Sequence, residues 1–246
     1  MNNFNPPFFR EDCYKVHSYH TDSSQRLSLV SMLHFLQETA GNHAATNGLG
    51  FDSLGESRLF WVLSRLTLKV AAYPAWNEEL LLRTWSKAPS ALMGNRDFEL
   101  LNARGEAIAV ATTSWLMVDM ASRRPQRIER FAATFPHVLD RHAIPEPPAK
   151  LPAVTSNTAT APREIMPSDV DMNGHVNNAC YVRWLLDSRQ PDSGEVEMLE
   201  VNFLHESRAG ERYAIAAQQS AEKIASYNIT RCEDGQELVR ARIAER

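Results

Sequence analysis

The side chains most able to do chemistry are concentrated in one segment, residues 168–178, which reads S-D-V-D-M-N-G-H-V-N-N. It holds two carboxylates, three carboxamides and one imidazole. An imidazole next to a carboxylate is a common device for moving protons near neutral pH. Asp171 lies four positions before His175, so its carboxylate is available to orient the ring, and we predict a functional role for His175. Ordinary loop chemistry explains part of the segment as well, since Asn177 or Asn178 suits a helix N-cap.

The elements that must position these residues occur twice in the chain, in the same order. In the second half, hydrophobic periodicity predicts a short strand, a helix and four strands. These elements span residues 163–166, 177–187, 195–205, 211–219, 224–231 and 236–243. In the first half the same pattern spans residues 14–20, 28–46, 60–70, 78–86, 92–102 and 106–118. The self-similarity predicts a duplicated unit in which an antiparallel sheet wraps one apolar helix, an α+β fold.

Matching and differing features accompany this repeat. The turns Arg104-Gly105 and Asp234-Gly235 fall at corresponding places, between the last two strands of each half. The first-half loop that aligns with the polar segment, residues 21–27, keeps one Asp but has neither His nor Asn. We therefore predict that the second half performs chemistry and that the first half binds.

Two further segments interrupt the pattern. Residues 47–59 are rich in glycine, have no counterpart in the second half, and are predicted to form a loop or lid. Residues 136–162 contain six prolines and predict an extended linker between an N-terminal domain, 1–135, and a C-terminal domain, 163–246.

Composition limits the classes of function. The chain has 246 residues, 43% of them apolar, and its 26 basic and 30 acidic side chains give a net charge of −4. The absence of a basic excess predicts no nucleic-acid partner. The most apolar stretch, residues 107–118, is well short of the about 20 residues of a membrane helix. Three cysteines without C-x-x-C spacing and an N-terminus without a targeting pattern predict a cytoplasmic protein. Neither a metal nor a nucleotide cofactor is predicted, because metal-ligand spacings and phosphate-binding glycine motifs are missing from the sequence.

Residues 169–187, D-V-D-M-N-G-H-V-N-N-A-C-Y-V-R-W-L-L-D, resemble the signature of the fatty acyl-ACP thioesterases of plants and bacteria. Motifs similar to those of this family also lie in the first half, at residues 36–43, 59–65, 73–76, 84–85, 96–97, 114–119 and 123–125. The resemblance implies a fold of two tandem hot-dog domains, which agrees with the repeat.

The resemblance also implies a site and an activity. The family's catalytic Asp, Asn, His and Glu fall on Asp171, Asn173, His175 and Glu206. The implied reaction is hydrolysis of fatty acyl-ACP to free fatty acid, which ends chain elongation. Plant members usually have Cys after the Glu, whereas this chain has Ser207, and this departure argues against a cysteine nucleophile.

Thioester hydrolysis needs a base that activates water and donors that stabilise the oxyanion. We predict that Glu206 and His175 act together on water, while Asp171 and Asn173 position them. Backbone N–H groups around Val176 are predicted to face the oxyanion. A covalent anhydride on Glu206 is the less favoured alternative.

Binding residues follow from the same resemblance, which implies an acyl slot in the first domain and an acidic carrier protein with a phosphopantetheine arm. Candidate walls of the slot are Met32, Leu36, Phe51, Leu54, Trp61 and Met93. Candidate carrier contacts are the clustered Arg123, Arg124, Arg127 and Arg130. Packing in the core and a solvated surface are the alternative roles of these two sets. A monomer and a homodimer of tandem pairs both fit the sequence.

Three other functions are compatible with the same fold. The chain could be an acyl-CoA thioesterase. It could be a hydratase or dehydratase that uses Glu38 of the first helix, although the H-F-P-x-x-P motif of dehydratases is missing. It could also be a non-catalytic acyl-binding module, and the presence of all four polar residues argues against that function.

Overall fold

The protein is described by a computed structural model that covers residues 8–128, 136–155, 159–190 and 193–246. The chain divides into two compact units, Met1–Ser64 with Leu68–Pro148, and Arg65–Thr67 with Ala149–Arg246. The division between Pro148 and Ala149 falls inside the segment predicted to be a linker. Among the described residues, each unit has five strands and its own long helix.

The first unit wraps an antiparallel sheet around the helix α1 (Leu29–Thr46). Its other elements are β1 (Phe9–Lys15), α2 (Phe51–Glu56), β2 (Leu59–Val70), β3 (Glu79–Ser86), β4 (Met93–Leu101) and β5 (Ala107–Asp119). The strand order is β1-β3-β4-β5-β2. The helix forms because apolar residues recur at helical spacing and are buried, and because the Ser28 hydroxyl accepts the N–H of Ser31 at 3.1 Å as an N-cap.

The second unit repeats this topology on a smaller scale. Its elements are β6 (Arg163–Glu164), α3 (Asn178–Asp187), β7 (Val196–Phe203), β8 (Arg212–Ala221), β9 (Ile224–Arg231) and β10 (Glu237–Glu245). The strand order, β6-β8-β9-β10-β7, is that of the first unit with each strand replaced by its counterpart. Asn177 caps α3, since its side chain accepts the N–H of Ala179 at 2.9 Å. The predicted α+β fold and the predicted repeat are confirmed.

Two predictions about the first unit are wrong. The strand predicted at residues 14–20 ends at Lys15, because the N–H of His17 is bonded by the ring of His20 and a short 3-10 helix forms. The insert at residues 47–59 is not a plain loop, because it contains α2, and Leu54 of this helix is buried in an apolar cluster. The predicted hairpin turns are confirmed, with Gly105 and Gly235 at φ +77° and +71°.

The proline-rich segment runs along the units without forming a helix or strand in its described parts, residues 136–155 and 159–162. The N–H of Ala143 bonds the buried carboxylate of Asp97 at 2.8 Å, in the first unit. The N–H of Leu151 bonds the side chain of Asn202 at 2.8 Å, in the second unit. The part of the segment before Pro148 is therefore bonded to the first unit, and the part after Pro148 is bonded to the second unit. Among the described helices, none is long and apolar enough to cross a membrane.

Candidate active site

His175 and Glu206 meet in the second unit. The distance from His175 Nε2 to Glu206 Oε2 is 3.1 Å, and the two side chains are 19% and 36% exposed. This is the distance of a hydrogen bond between an imidazole N–H and a carboxylate, and partial burial strengthens such a bond. The sequence spacing offered Asp171 as a carboxylate available to orient the ring. In the structure the carboxylate on the ring belongs to Glu206, which follows β7.

A tight turn at residues 171–175 presents His175. The N–H of Asp171 donates to the carbonyl of His175 at 2.9 Å, and the N–H of Gly174 donates to the carbonyl of Asp171 at 3.0 Å. The Asp171 carboxylate accepts the N–H of Asn173 at 2.8 Å. Gly174 has φ +77°, the left-handed region that favours glycine. Asp171 therefore stabilises the turn that carries His175, which corrects the predicted contact between its carboxylate and the ring. The side chain of Asn173 is exposed at the end of this turn.

The backbone beside Glu206 is fastened to the backbone beside His175. The N–H of Val176 donates to the carbonyl of Ser207 at 3.0 Å. On the other side, Arg231 Nη2 donates to the carbonyl of Glu206 at 2.9 Å. The N–H of Val176, predicted to face an oxyanion, is therefore occupied. In the first turn of α3 as described, the N–H of Asn178 is the amide left without a hydrogen-bond partner.

Neither Ser207 nor Cys180 has the surroundings of a nucleophile. Ser207 is 1% exposed, and its hydroxyl lies 2.6 Å from the hydroxyl of Tyr181 rather than on an imidazole. Cys180 is buried on α3, and burial raises the pKa of its thiol, whereas a reactive cysteine needs a lowered pKa. Burial also raises the pKa of Tyr181 to about 12. The geometry therefore argues against Ser207 and against Cys180 as the nucleophile.

The predicted walls of the acyl slot lie in the first unit but not all on one face. Met32 and Leu36 are buried on α1. The half-buried Trp61 packs on the apolar cluster that includes Leu54, and its Nε1 donates to the carbonyl of Leu49 at 3.1 Å.

Two other predicted walls are placed differently. Phe51 is 58% exposed on α2. Gly94 lies against Trp61, with 3.6 Å between the ring and the position of an added Cβ. Because side chains alternate along β4, Met93 points to the face opposite Gly94 and away from Trp61.

A buried guanidinium in the first unit was not assigned a role by sequence reasoning. Arg96 Nη1 lies 2.7 Å from His43 Nδ1 and 3.3 Å from the Thr84 hydroxyl, and burial lowers the pKa of Arg96 to about 10. Its described hydrogen-bond partners include no carboxylate. The alternation of residues along β4 could have indicated that Arg96 is buried, because Arg96 shares one face of β4 with the buried Phe98 and Leu100.

The predicted carrier contacts lie on a hairpin after β5. Arg123, Arg124 and Arg127 are exposed, and the hairpin is closed by the N–H of Arg123 donating to the carbonyl of Asp119 at 2.9 Å. The N–H of Met120 donates to the carbonyl of Arg58 at 2.9 Å, which brings a fourth exposed arginine to this hairpin. Sequence reasoning missed Arg58 because it lies far away along the chain. Arg130 lies outside the described residues.

Glu38 and the metal-ligating side chain types are the remaining candidates for chemistry. Glu38, the carboxylate of the alternative lyase mechanism, is exposed on α1. Within the described residues, His, Cys, Asp and Glu form no group of three or more that could hold a metal ion.

Comparison with known proteins gives two family matches. The model of the acyl-ACP thioesterase N-terminal domain matches residues 8–133, and the model of the C-terminal domain matches residues 155–244. Among curated relatives, the chloroplastic acyl-[acyl-carrier-protein] hydrolase FATB2 of Cuphea viscosissima is 29% identical, with coverage of 95% of this chain and 61% of the relative. Oleoyl-acyl carrier protein thioesterase 2 of Arabidopsis thaliana is 28% identical, with coverage of 81% and 60%. The chain thus spans about three fifths of the length of the curated relatives it matches.

Solved structures share the whole architecture. An acyl-ACP thioesterase from Bacteroides thetaiotaomicron superposes with a TM-score of 0.88 at 24% identity, covering 96% of this chain and 97% of that one. The 12:0-ACP thioesterase from Umbellularia californica superposes with a TM-score of 0.84 at 21% identity, covering 97% of both chains. These similarities confirm the predicted hot-dog fold.

Proposed function

Because the chain belongs to the acyl-ACP thioesterase family, we propose that it hydrolyses fatty acyl-ACP to free fatty acid and holo-ACP and thereby ends chain elongation. The observation that carries the proposal is the 3.1 Å contact between His175 and Glu206, held by a fixed turn on one side and by backbone bonds on the other. Family membership alone would be compatible with an inactive chain. The paired base argues for a working hydrolase.

The chemistry of a thioester explains why such a pair suffices. The leaving thiol has a pKa of about 8.5, so it departs readily as a thiolate. Water has a pKa of about 15.7, so removing its proton is the difficult part of the attack. A site that supplies a general base for the attacking water is therefore suited to this reaction.

His175 and Glu206 supply that base as a unit. When the Nε2–H of a neutral His175 donates to Glu206, the ring keeps Nδ1 as a proton acceptor. As the water oxygen bonds to the carbonyl carbon, its proton passes to the pair, and the Glu206 carboxylate stabilises the imidazolium that forms. Collapse of the tetrahedral intermediate breaks the C–S bond, and the proton is available for the departing thiolate.

Asp171 and Asn173 contribute by fixing the turn that presents the ring. The N–H of Asn178 at the start of α3 is the backbone donor proposed for the oxyanion, since that of Val176 is engaged. Water attack is preferred to a covalent anhydride on Glu206, because an anhydride would leave the ring without its charged partner.

The first unit is proposed to bind what the second unit cleaves. Trp61 and the apolar cluster beneath it are candidate contacts of the acyl chain. The hairpin arginines, Arg123, Arg124 and Arg127, together with Arg58, are proposed to meet the acidic carrier protein through long-range attraction.

A product assay tests the proposed function. The purified protein is incubated with a mixed pool of acyl-ACP, and free fatty acids and newly exposed ACP thiols are measured, with matched acyl-CoA in parallel. We expect equal amounts of fatty acid and thiol, and faster hydrolysis of acyl-ACP. Faster hydrolysis of acyl-CoA would show that CoA, not ACP, carries the acyl group of the substrate. Failure to release fatty acid from either substrate would refute the proposal that the protein is a hydrolase.

A further inference from the structure

Ser207, the residue after Glu206, is held by two hydrogen bonds, one to α3 and one to the turn that precedes α3. Its hydroxyl lies 2.6 Å from the hydroxyl of Tyr181 on α3. Its carbonyl accepts the N–H of Val176 at 3.0 Å. Both side chains are buried, Ser207 at 1% and Tyr181 at 3% exposure, so water does not compete for these bonds.

The corresponding place in the first unit has lost the side-chain part of this arrangement. Counting from the helix N-caps, Ser28 and Asn177, the counterpart of Tyr181 is Met32. The counterpart of Ser207 is Pro74, whose carbonyl accepts the N–H of Leu27 at 2.8 Å. The backbone bond is thus common to both units, whereas the phenol and hydroxyl occur only in the unit that carries His175 and Glu206.

We propose that Tyr181 is a positioning residue for thioester hydrolysis, which through Ser207 keeps the Glu206 carboxylate at hydrogen-bond distance from His175. This inference rests on the proposed function. A glutamate has three side-chain torsions, so its carboxylate stays on the ring only when its backbone is fixed. Arg231 fixes the carbonyl of Glu206, and Tyr181 fixes the next residue along the chain.

Loss of the Tyr181–Ser207 hydrogen bond should lower the rate of hydrolysis more than the strength of one hydrogen bond suggests. Displacement of a reacting group by about 1 Å can cost about a hundredfold in rate. Tyr181 acts with constant strength over the assay range, because its pKa of about 12 keeps the phenol protonated. Loss of the hydroxyl should therefore lower kcat at every pH rather than shift the pH profile.

A role in packing alone is the competing explanation, and a matched residue separates the two. Tyr181 packs on Trp184 with 5.2 Å between the ring centroids, and Tyr213 stacks on the same Trp184 with 4.0 Å between the ring centroids. Tyr213 is also 3% exposed. Tyr213→Phe therefore removes a buried phenol hydroxyl in the same unit without touching Ser207.

The experiment compares Tyr181→Phe, Ser207→Ala, their double variant, Ser207→Cys and Tyr213→Phe in the full chain. We expect kcat on acyl-ACP to fall about tenfold to a hundredfold in both single variants, with KM within about twofold. The double variant should be no slower than the slower single variant, because both remove one interaction. Ser207→Cys, which keeps a weak hydrogen-bonding group, should recover most of the rate, and Tyr213→Phe should leave kcat unchanged.

Crystal structures of wild type and Tyr181→Phe give a readout that does not depend on activity. We expect the Glu206–His175 contact to lengthen beyond hydrogen-bond distance in the variant. An unchanged contact, or equal kcat in Tyr181→Phe and Tyr213→Phe, would overturn the positioning role. If wild type hydrolyses no acyl-ACP, the proposed function fails, while the contact distance still decides whether Tyr181 holds Glu206.

Discussion

The two units carry the same turn with different side chains on it. In the first unit the N–H of Asp22 donates to the carbonyl of Arg26 at 2.9 Å, and in the second the N–H of Asp171 donates to the carbonyl of His175 at 2.9 Å. In each turn the leading Asp carboxylate accepts the N–H two residues on, at 2.9 and 2.8 Å. The backbone of this turn is therefore the same in both units.

Unlike the backbone, the side chain at the last residue of the turn differs between the two units. In the first unit the Arg26 guanidinium lies 5.9 Å from the centre of the Tyr73 ring, a cation–π contact. In the second unit His175 bonds Glu206. Tyr73 and Glu206 are counterparts, since each precedes the residue whose carbonyl is tied back to the turn. An arginine that stays charged cannot act as a base, so the residue that ends the turn can accept a proton in the second unit and cannot in the first.

The largest expected effect comes from removing the basic partner in the second unit. Glu206→Gln keeps the shape and a hydrogen-bond acceptor but not the charge, so kcat on acyl-ACP should fall about 10²–10⁴-fold. Glu197→Gln, an exposed position on β7, is the matched control and should keep full activity. If Glu206→Gln retains wild-type kcat, the contact of Glu206 with His175 does not serve as a base and the proposed difference between the two turns is wrong. Steady-state kinetics with a thiol-detecting reagent measures both variants.

The next effect concerns the binding role given to the first unit. Reversing two charges, Arg124→Glu with Arg127→Glu, should lower kcat/KM on acyl-ACP about tenfold to a hundredfold, because electrostatic attraction speeds encounter. Acyl-pantetheine, which lacks the carrier, should be hydrolysed at the unchanged rate. Arg104→Glu on the exposed 102–106 turn is the control. Equal loss with both substrates, or no loss with acyl-ACP at low salt, would contradict carrier docking at this hairpin.

A smaller effect is expected at the helix N-caps, which the units share. Asn177→Ala and Ser28→Ala should each cost about 1 kcal/mol of unfolding free energy, which corresponds to about 2–4 °C in Tm. Only Asn177→Ala should also reduce kcat, because α3 begins directly after the turn that holds His175. Calorimetry and kinetics on the same samples test this pair. A drop in kcat for Ser28→Ala of the same size would make the two caps equivalent.

The smallest expected effect is at the left-handed position of the turn. Gly174 has φ +77°, and its counterpart Gln25 adopts φ +60°. No atom lies within 4 Å of a Cβ added at Gly174, so Gly174→Ala meets no clash. The cost should be the backbone strain alone, about 1 kcal/mol. Chemical denaturation measures it, and a loss several times larger would show that the second turn depends on glycine for more than its φ angle.

Much of the architecture was predictable because its signals are local. Helical spacing and caps placed α1 and α3, and strand alternation placed the sheet strands to within a few residues. The errors fell where a non-local contact overrides a local pattern. Residues 51–56 form α2, and its Leu54 enters a core built by residues from β5 and beyond.

The sequence predicted which residues to consider for the candidate site, but only part of their arrangement. The sequence motifs identified Asp171, Asn173, His175 and Glu206, and the cap by Asn177 followed from residue type. Proximity along the chain offered Asp171 as the carboxylate that orients the ring, while the family resemblance paired His175 with Glu206, and it is Glu206 that lies on the ring. The occupied N–H of Val176 was equally hidden, because its acceptor, Ser207, follows another element.

By itself, the amino-acid sequence determined that this chain folds as a repeated sheet-and-helix unit and that only the second repeat holds an imidazole on its turn. Periodicity and capping act over a few residues, so they can be read without coordinates. The pairing of Glu206 with His175 was expected from the family resemblance, whereas only the tertiary structure decided the 3.1 Å contact between them and the contact of Tyr181 with the adjoining Ser207. Those contacts depend on how α3 lies against the end of β7, and hydrogen bonds a few ångströms long are set by packing that no local pattern encodes.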